Sequence, residues 1–66
     1  PVTDNYTIKS ETNINSIEIT NIAGQIIRKY DANSTSFNVD FSNIKGVYFV
    51  KINTDNGEVV RRVISE

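Results

Sequence analysis

The amino-acid sequence predicts an all-β domain, and three observations support that fold class. The 66 residues include ten Ile, seven Val and six Thr but no Leu and no Met. β-Branched side chains lose rotamer freedom in a helix and pack well on a pleated sheet. No window has the i, i+3, i+4, i+7 apolar spacing of an amphipathic helix, whereas short alternating runs recur between turn-forming residues. We expect one domain, residues 1–66, which must fold without disulfides because the chain has no cysteine.

Six strand-like runs follow one another along the chain. They are residues 5–9, 16–22, 25–30, 36–41, 46–52 and 58–64. A polar stretch, residues 10–13, connects the first two runs, and residues 31–34 and 42–46 are predicted connections because turn-forming residues dominate them. Alternation within the runs gives one apolar face, which forms the expected core: Tyr6, Ile8, Ile17, Ile19, Phe37, Val39, Phe41, Tyr48, Val50 and Ile52. Adjacent Ile26 and Ile27 leave the buried face of the third run open.

The last two runs are predicted to form a β-hairpin. Asn56-Gly57 lies between them, and both residues of this dipeptide tolerate the positive φ of a type I′ turn. Short antiparallel strands in this number, each with one apolar face, favour a small β-sandwich of six to seven strands. A small closed barrel is the alternative.

The residue types argue against catalysis. Without His or Cys, the chain lacks the commonest general base, the best nucleophile and the soft metal ligands. We therefore expect no enzymatic activity and no cofactor. Asp31, Asn33, Asp55 and Asn56 could supply oxygen ligands to calcium, but Asp and Asn also suit turns. We favour the turn role.

The charge and hydropathy of the chain argue against two further classes of binding partner. Seven basic and eight acidic residues give a net charge of −1, which argues against binding to nucleic acid or an anionic membrane. No run is apolar enough to span a bilayer. The sequence opens on Pro1-Val2, so we expect a domain taken from a longer protein. A targeting signal of that parent protein would lie outside this sequence.

The pair Arg61-Arg62 lies within the last predicted strand, and the two side chains should point to opposite faces. A charge on an edge strand prevents pairing with other chains. The same pair could also form a basic docking surface on the strand. The residues alone leave both roles open.

Four segments, in order, resemble the motifs of one family. Residues 1–8 are similar to its opening segment, and residues 16–25 (SIEITNIAGQ) to its I-x-I-x-N-x-x-G-Q motif. Residues 39–52 (VDFSNIKGVYFVKI) resemble its D-S-L-GVYFVK stretch, and Gly57 with residues 61–64 resembles its closing G-KKII. The chain thus resembles the type A C-terminal sorting domains of the type IX secretion system in Bacteroidota.

The resemblance implies an immunoglobulin-like β-sandwich fused to the C-terminus of a cargo protein. Such cargo reaches the periplasm by its own signal, and outer-membrane translocon and shuttle proteins then recognise the domain. A cell-surface sortase removes the domain, and the cargo stays at the cell surface or becomes extracellular. The cleavage site would lie upstream of Pro1, so the domain would be a substrate of the sortase.

Motif residues on turns and edges are the candidates for the recognition surface. They are Gly24, Gln25, Lys45, Gly46, Arg61, Arg62, Val63 and Ile64. The alternative function is an accessory adhesive or carbohydrate-binding β-sandwich of a secreted enzyme. It predicts an exposed aromatic platform, for which Phe49, Tyr30 and Tyr6 are the candidates.

Overall fold

The computed structural model describes residues 5–66, and its regular structure is entirely β. Four strands follow in chain order: β1 (Asn5–Asn21), β2 (Ile26–Asp40), β3 (Gly46–Thr54) and β4 (Gly57–Ser65). The all-β fold class is therefore confirmed. Of the opening motif, residues 1–8, the first four residues lie outside the described part of the chain.

The four strands form one antiparallel sheet in the order β2-β1-β3-β4. β2 pairs with β1 along nearly its whole length, whereas β3 pairs only with residues 14–21 of β1. β4 pairs with β3 from Gly57 to Ser65 and forms one edge of the sheet. The sheet of residues 5–66 is open, because its two outer strands, β2 and β4, do not pair with each other. The predicted alternative of a closed barrel is wrong.

The predicted count of six to seven strands is wrong because two expected connections are irregular parts of long strands. The register of β1 against β2 passes from Lys9↔Ser36 to Ile14↔Ser34, so β1 holds three extra residues at that point. The predicted loop 31–34 likewise lies within β2, where Asn33 takes a φ of 60°. The polar residues here form β-bulges and do not reverse the chain. Residues 5–66 thus form one antiparallel sheet of four strands and not the six to seven predicted.

The irregularity bends β1 and β2 sharply. A straight strand of 17 residues would be about 56 Å long at the usual rise per residue, but the longest dimension of the molecule is 29 Å. Residues 5–9 of β1 and 36–40 of β2, which we call the arm, fold over the rest of the sheet. Ile8 and Val39 of the arm accordingly share one core cluster with Val50 of β3.

The core confirms the predicted faces. Its buried apolar residues are Ile8, Ile14, Ile17, Ile19, Val39, Phe41, Val50, Ile52 and Val63, and half-buried Tyr6, Phe37 and Tyr48 pack against them. Two core residues were not predicted. Ile14 follows the polar stretch at the bulge, where alternation fails, and Val63 lies in the closing motif. Such a core can stabilise the domain because each fully buried side chain contributes about 1.5–3 kcal/mol.

The β3–β4 hairpin is confirmed, but its predicted type I′ turn is wrong. Thr54 pairs with Gly57, so Asp55 and Asn56 form the turn, and Asn56 does not have a positive φ. The Thr54 hydroxyl accepts a hydrogen bond from the Asn56 N–H (3.2 Å) and donates one to the Gly57 carbonyl (2.9 Å). Gly57, at a φ of 122°, takes the positive angle instead. This glycine at the fourth position suits a turn with two ordinary central residues.

A candidate recognition surface at one end of the sheet

The strand register brings most of the motif residues to one end of the sheet. Asn21, the last residue of β1, pairs with Tyr48 near the start of β3. Gly46 at the start of β3 pairs with Ser65 at the end of β4. The turn with Gly24-Gln25, the connection with Lys45-Gly46 and the end of β4 with Ile64 therefore lie at the same end.

The β1–β2 turn is organised by the side chain of Asn21. Its Oδ1 accepts hydrogen bonds from the backbone N–H groups of Ala23 and Gln25, both at 3.0 Å. Its Nδ2 donates to Oε1 of Gln25, also at 3.0 Å. Gly24 takes a φ of 86°, an angle that L side chains rarely adopt. The turn is thus fixed from within, and it leaves Ile22 76% exposed.

Asn21 is the residue that sequence reasoning missed at this turn. An Asn that accepts hydrogen bonds from N–H groups two and four residues ahead is a known turn-forming device. The spacing Asn21-x-x-Gly24-Gln25 therefore contained the signal. Gln25 has a structural role here as well, because its side-chain oxygen holds the amide of Asn21.

The connection before β3 holds the end of β4 in place. The buried Ser65 hydroxyl donates a 2.7 Å hydrogen bond to the Ile44 carbonyl. Lys45 Nζ donates to the backbone carbonyl of Glu66 at 2.6 Å, and the Tyr48 hydroxyl donates to the Lys45 carbonyl at 3.0 Å. Lys45 thus sits over the last residues of the chain and positions them against β3.

The four motif residues of β4 lie in three different environments. Residues directly paired across antiparallel strands share a face. Arg61 pairs with buried Val50 and so lies on the core side, whereas Arg62 pairs with Phe49 on the outer face. Val63 is only 3% exposed and belongs to the core, so its side chain is not available at the surface. Ile64, 41% exposed, lies on the outer face with Arg62.

Exposed apolar side chains surround half-buried Phe49 on the outer face next to this end. Phe49 pairs on one side with Thr20, which itself pairs with Ile26, and on the other side with Arg62. Val47 pairs with Ile64. We call the resulting surface the outer patch, defined by Ile22, Ile26, Val47, Phe49, Arg62 and Ile64. Clustered exposed apolar residues are typical of interaction sites, whereas single ones are ordinary.

Charged residues occupy the other half of the outer face. Glu18 is 3.9 Å from Lys29 and 3.6 Å from Lys51, and Lys51 is 3.4 Å from Glu58. The Glu58 carboxylate beside it, aided by Glu18, raises the pKa of Lys51. Such exposed pairs contribute little to stability. These ion pairs lie outside the outer patch. Arg62 takes part in no ion pair within residues 5–66 and is therefore the unpaired cation of the outer patch.

The structure also bears on the predictions about metal binding, membrane spanning and a carbohydrate platform. Across residues 5–66, no three His, Cys, Asp or Glu side chains are grouped so that they could hold a metal ion. No helix in the same range is long and apolar enough to cross a membrane. The aromatic candidates for a carbohydrate platform are half-buried, and two of them pack on other rings, Tyr6 on Phe41 (6.3 Å) and Tyr30 on Phe37 (5.3 Å).

The fold and the outer patch define a class: small all-β domains that expose their sequence motifs at one end of a sheet. No curated protein sequence matches the chain. A family model described as a secretion system C-terminal sorting domain matches residues 1–66, and the chain belongs to this family of type IX sorting domains. The resemblance seen in the sequence is thereby confirmed. Membership implies a fused cargo, interaction with the secretion machinery and export to the cell surface or beyond.

Proposed function

We propose that this domain directs its cargo across the outer membrane because translocon or shuttle proteins bind the outer patch. One observation supports this proposal above the others. Gly24, Gln25, Lys45, Gly46 and Ile64, distant in the sequence, gather at the end of the sheet where apolar side chains are exposed. A label shared by unrelated cargoes must present such a surface independently of the cargo.

The composition of the outer patch suits a protein partner. Phe49 and Arg62 are paired side by side near its middle, and aromatic residues and Arg dominate the binding energy of protein interfaces. Ile22, Ile26 and Ile64 surround them and are 76%, 58% and 41% exposed. Covering the exposed part of each side chain contributes the corresponding fraction of the about 1.5–3 kcal/mol that full burial gives. The outer patch would therefore favour a partner that has an apolar groove and one acidic group.

The remaining steps of the proposal follow the family's route. The cargo enters the periplasm by its own signal, and the domain acts there as the address that the outer-membrane machinery recognises. A sortase then removes the domain by cutting upstream of residue 1. The domain is the substrate of that reaction and supplies no catalytic group to it.

The test is export of a reporter fused to residues 1–66 in a host with a type IX system. We expect the fusion in the medium or at the cell surface, and the Arg62→Glu fusion in the periplasm. Lys29→Glu is the matched control, because Lys29 is an exposed cation on the same face but outside the outer patch. It should leave export intact. Equal export of the Arg62→Glu and Lys29→Glu fusions would contradict recognition through the outer patch, and a periplasmic parent fusion would contradict the function itself.

A further inference from the structure

A cleft of about 240 Å³ lies on the opposite side of the sheet from the outer patch. One wall is formed by residues 6–10 of β1. The floor is formed by Ile52 of β3 and Val59 of β4, and Arg61 extends it along β4. The cleft exists because the bulge folds the arm over the β3–β4 hairpin.

The wall of the cleft is the free edge of a strand. Side chains of a strand alternate between two faces, so five consecutive residues can line one cavity only if the backbone edge faces it. Residues 5–9 pair with β2 on one side, and β3 begins to pair with β1 only at Ile14. On the cleft side, no strand of the described chain pairs with residues 5–9. Their backbone N–H and C=O groups on that side are available to a ligand.

The charges at the cleft are of one sign. Lys9 and Arg61 are among its lining residues, and the lining contains no Asp or Glu. Both side chains are exposed, and neither forms an ion pair with any residue from 5 to 66. The apolar floor between them would bury an aliphatic side chain of a ligand.

We propose that this cleft binds an extended, acidic peptide segment of a partner protein, which adds as a strand to residues 6–10. In such strand addition the backbone hydrogen bonds provide affinity, and pockets for alternate side chains provide specificity. An acidic side chain of the segment lies between Lys9 and Arg61, and an aliphatic side chain two residues along, on the same face of the segment, contacts Ile52 and Val59. The site is separate from the outer patch, since Arg61 and Arg62 lie on opposite faces of β4.

The experiment is an NMR titration of the ¹⁵N-labelled 66-residue chain with the blocked hexapeptide acetyl-Thr-Val-Thr-Glu-Thr-Val-amide, whose Glu and two Val side chains share one face when it is extended. We expect saturable shifts of the amide signals of residues 6–10 and 59–61. Replacement of Glu by Gln in the peptide, or Arg61→Glu in the protein, should weaken binding about tenfold or more, as loss of a charge-assisted contact does. Arg62→Glu is the matched control, and it should bind the hexapeptide as the parent chain does.

Several outcomes would overturn the proposal. They are the absence of shifts at millimolar peptide, equal binding of the Gln peptide, or shifts confined to the outer patch or to the free edge of β4. Equal shifts with inorganic phosphate alone would also overturn it, because the cleft would then bind an anion and not a strand. Well-dispersed core signals check the fold of each variant, and Lys9→Gln tests the same cation pair if Arg61→Glu fails to fold. The titration does not depend on export, so its failure would leave the proposed sorting function untouched.

Discussion

The two faces of the β3–β4 hairpin have opposite surroundings. On one face the arm covers Val50 and Val63, and a cleft with two cations remains beside it. On the other face Val47 and Ile64 are exposed and Phe49 is half-buried, and a row of ion pairs limits the exposed apolar surface. Adjacent residues of β4 thus serve different purposes. The residues of the closing motif do not share one surface, since they lie at the cleft, in the core and in the outer patch in turn.

The largest effect should come from comparing two valines of β4. Val63 is buried and Val60 is 54% exposed on the outer face. Val63→Ala should lower the free energy of unfolding by roughly 1–3 kcal/mol, because it leaves a cavity in the core. Val60→Ala should change it by less than about 0.5 kcal/mol. Urea denaturation of both variants measures the difference. Equal losses of unfolding free energy would contradict the burial of Val63 and the exposure of Val60.

The turn that presents Ile22 should be the next most sensitive element. Asn21→Ala removes three side-chain hydrogen bonds at once, two of them to backbone N–H groups. We expect a loss of about 1–2 kcal/mol, because these groups are exposed and water replaces part of the interaction. Thermal unfolding provides the measurement. Gln25→Ala, which removes one of the three bonds, should lower the stability less than Asn21→Ala. A larger loss with Gln25→Ala would show that Gln25, and not Asn21, stabilises the turn.

Asn33 tests the bulge that allows the arm to cover the core. Its φ of 60° is tolerated by Asn but costs a β-branched residue roughly 1–2 kcal/mol. Asn33→Val should therefore destabilise the domain, whereas Asn33→Gly should be neutral or slightly stabilising. Chemical denaturation distinguishes the two. A tolerated Asn33→Val would show that the bend does not need the left-handed angle at this position.

The smallest effect concerns the end of the arm at acid pH. Hydrogen bonds from Ser42, helped by nearby Arg28, lower the pKa of the Asp40 carboxyl below its ordinary value of 3.8. A lowered pKa in the folded state stabilises the fold above pH 3.8, and this stabilisation disappears as the pH falls through the lower folded value. Asp40→Asn should therefore flatten the fall of the melting temperature below pH 4. Asp31→Asn, in the same strand, controls for the change in net charge, and an equal flattening by it would contradict the role of Asp40.

The sequence predicted the core well because alternation is a local property. Ile8, Val39 and Val50 each stand in a run whose period of two already shows which side is apolar. The bulges could not be predicted in this way. Whether the polar residues 10–13 form a loop or a bulge depends on pairing with residues more than twenty positions away. This is why two long strands were predicted as four short ones.

Of the residues that define the outer patch, only Arg62 and Ile64 were among the predicted recognition residues, and their part in recognition stays a prediction. The motif residues were found by resemblance, and the register then placed Arg61 and Val63 away from the surface shared by Arg62 and Ile64. The apolar character of the outer patch was not predicted, because Ile22 and Ile26 come from a turn and a bulge. At the hairpin, the Thr54 hydroxyl makes hydrogen bonds within the turn, to Asn56 and Gly57, and a dipeptide rule does not include it.

Recognition through the outer patch is tested most directly by two substitutions on the same face of the same strand. Ile64→Asp places a charge inside the outer patch, and Val60→Asp places the same charge beside the ion-pair row outside it. Both positions are exposed, so both variants should fold. The measured quantity is the exported fraction of a reporter fused to each variant. Loss of export with Ile64→Asp and normal export with Val60→Asp is the predicted result, whereas equal export of the two fusions would contradict the account.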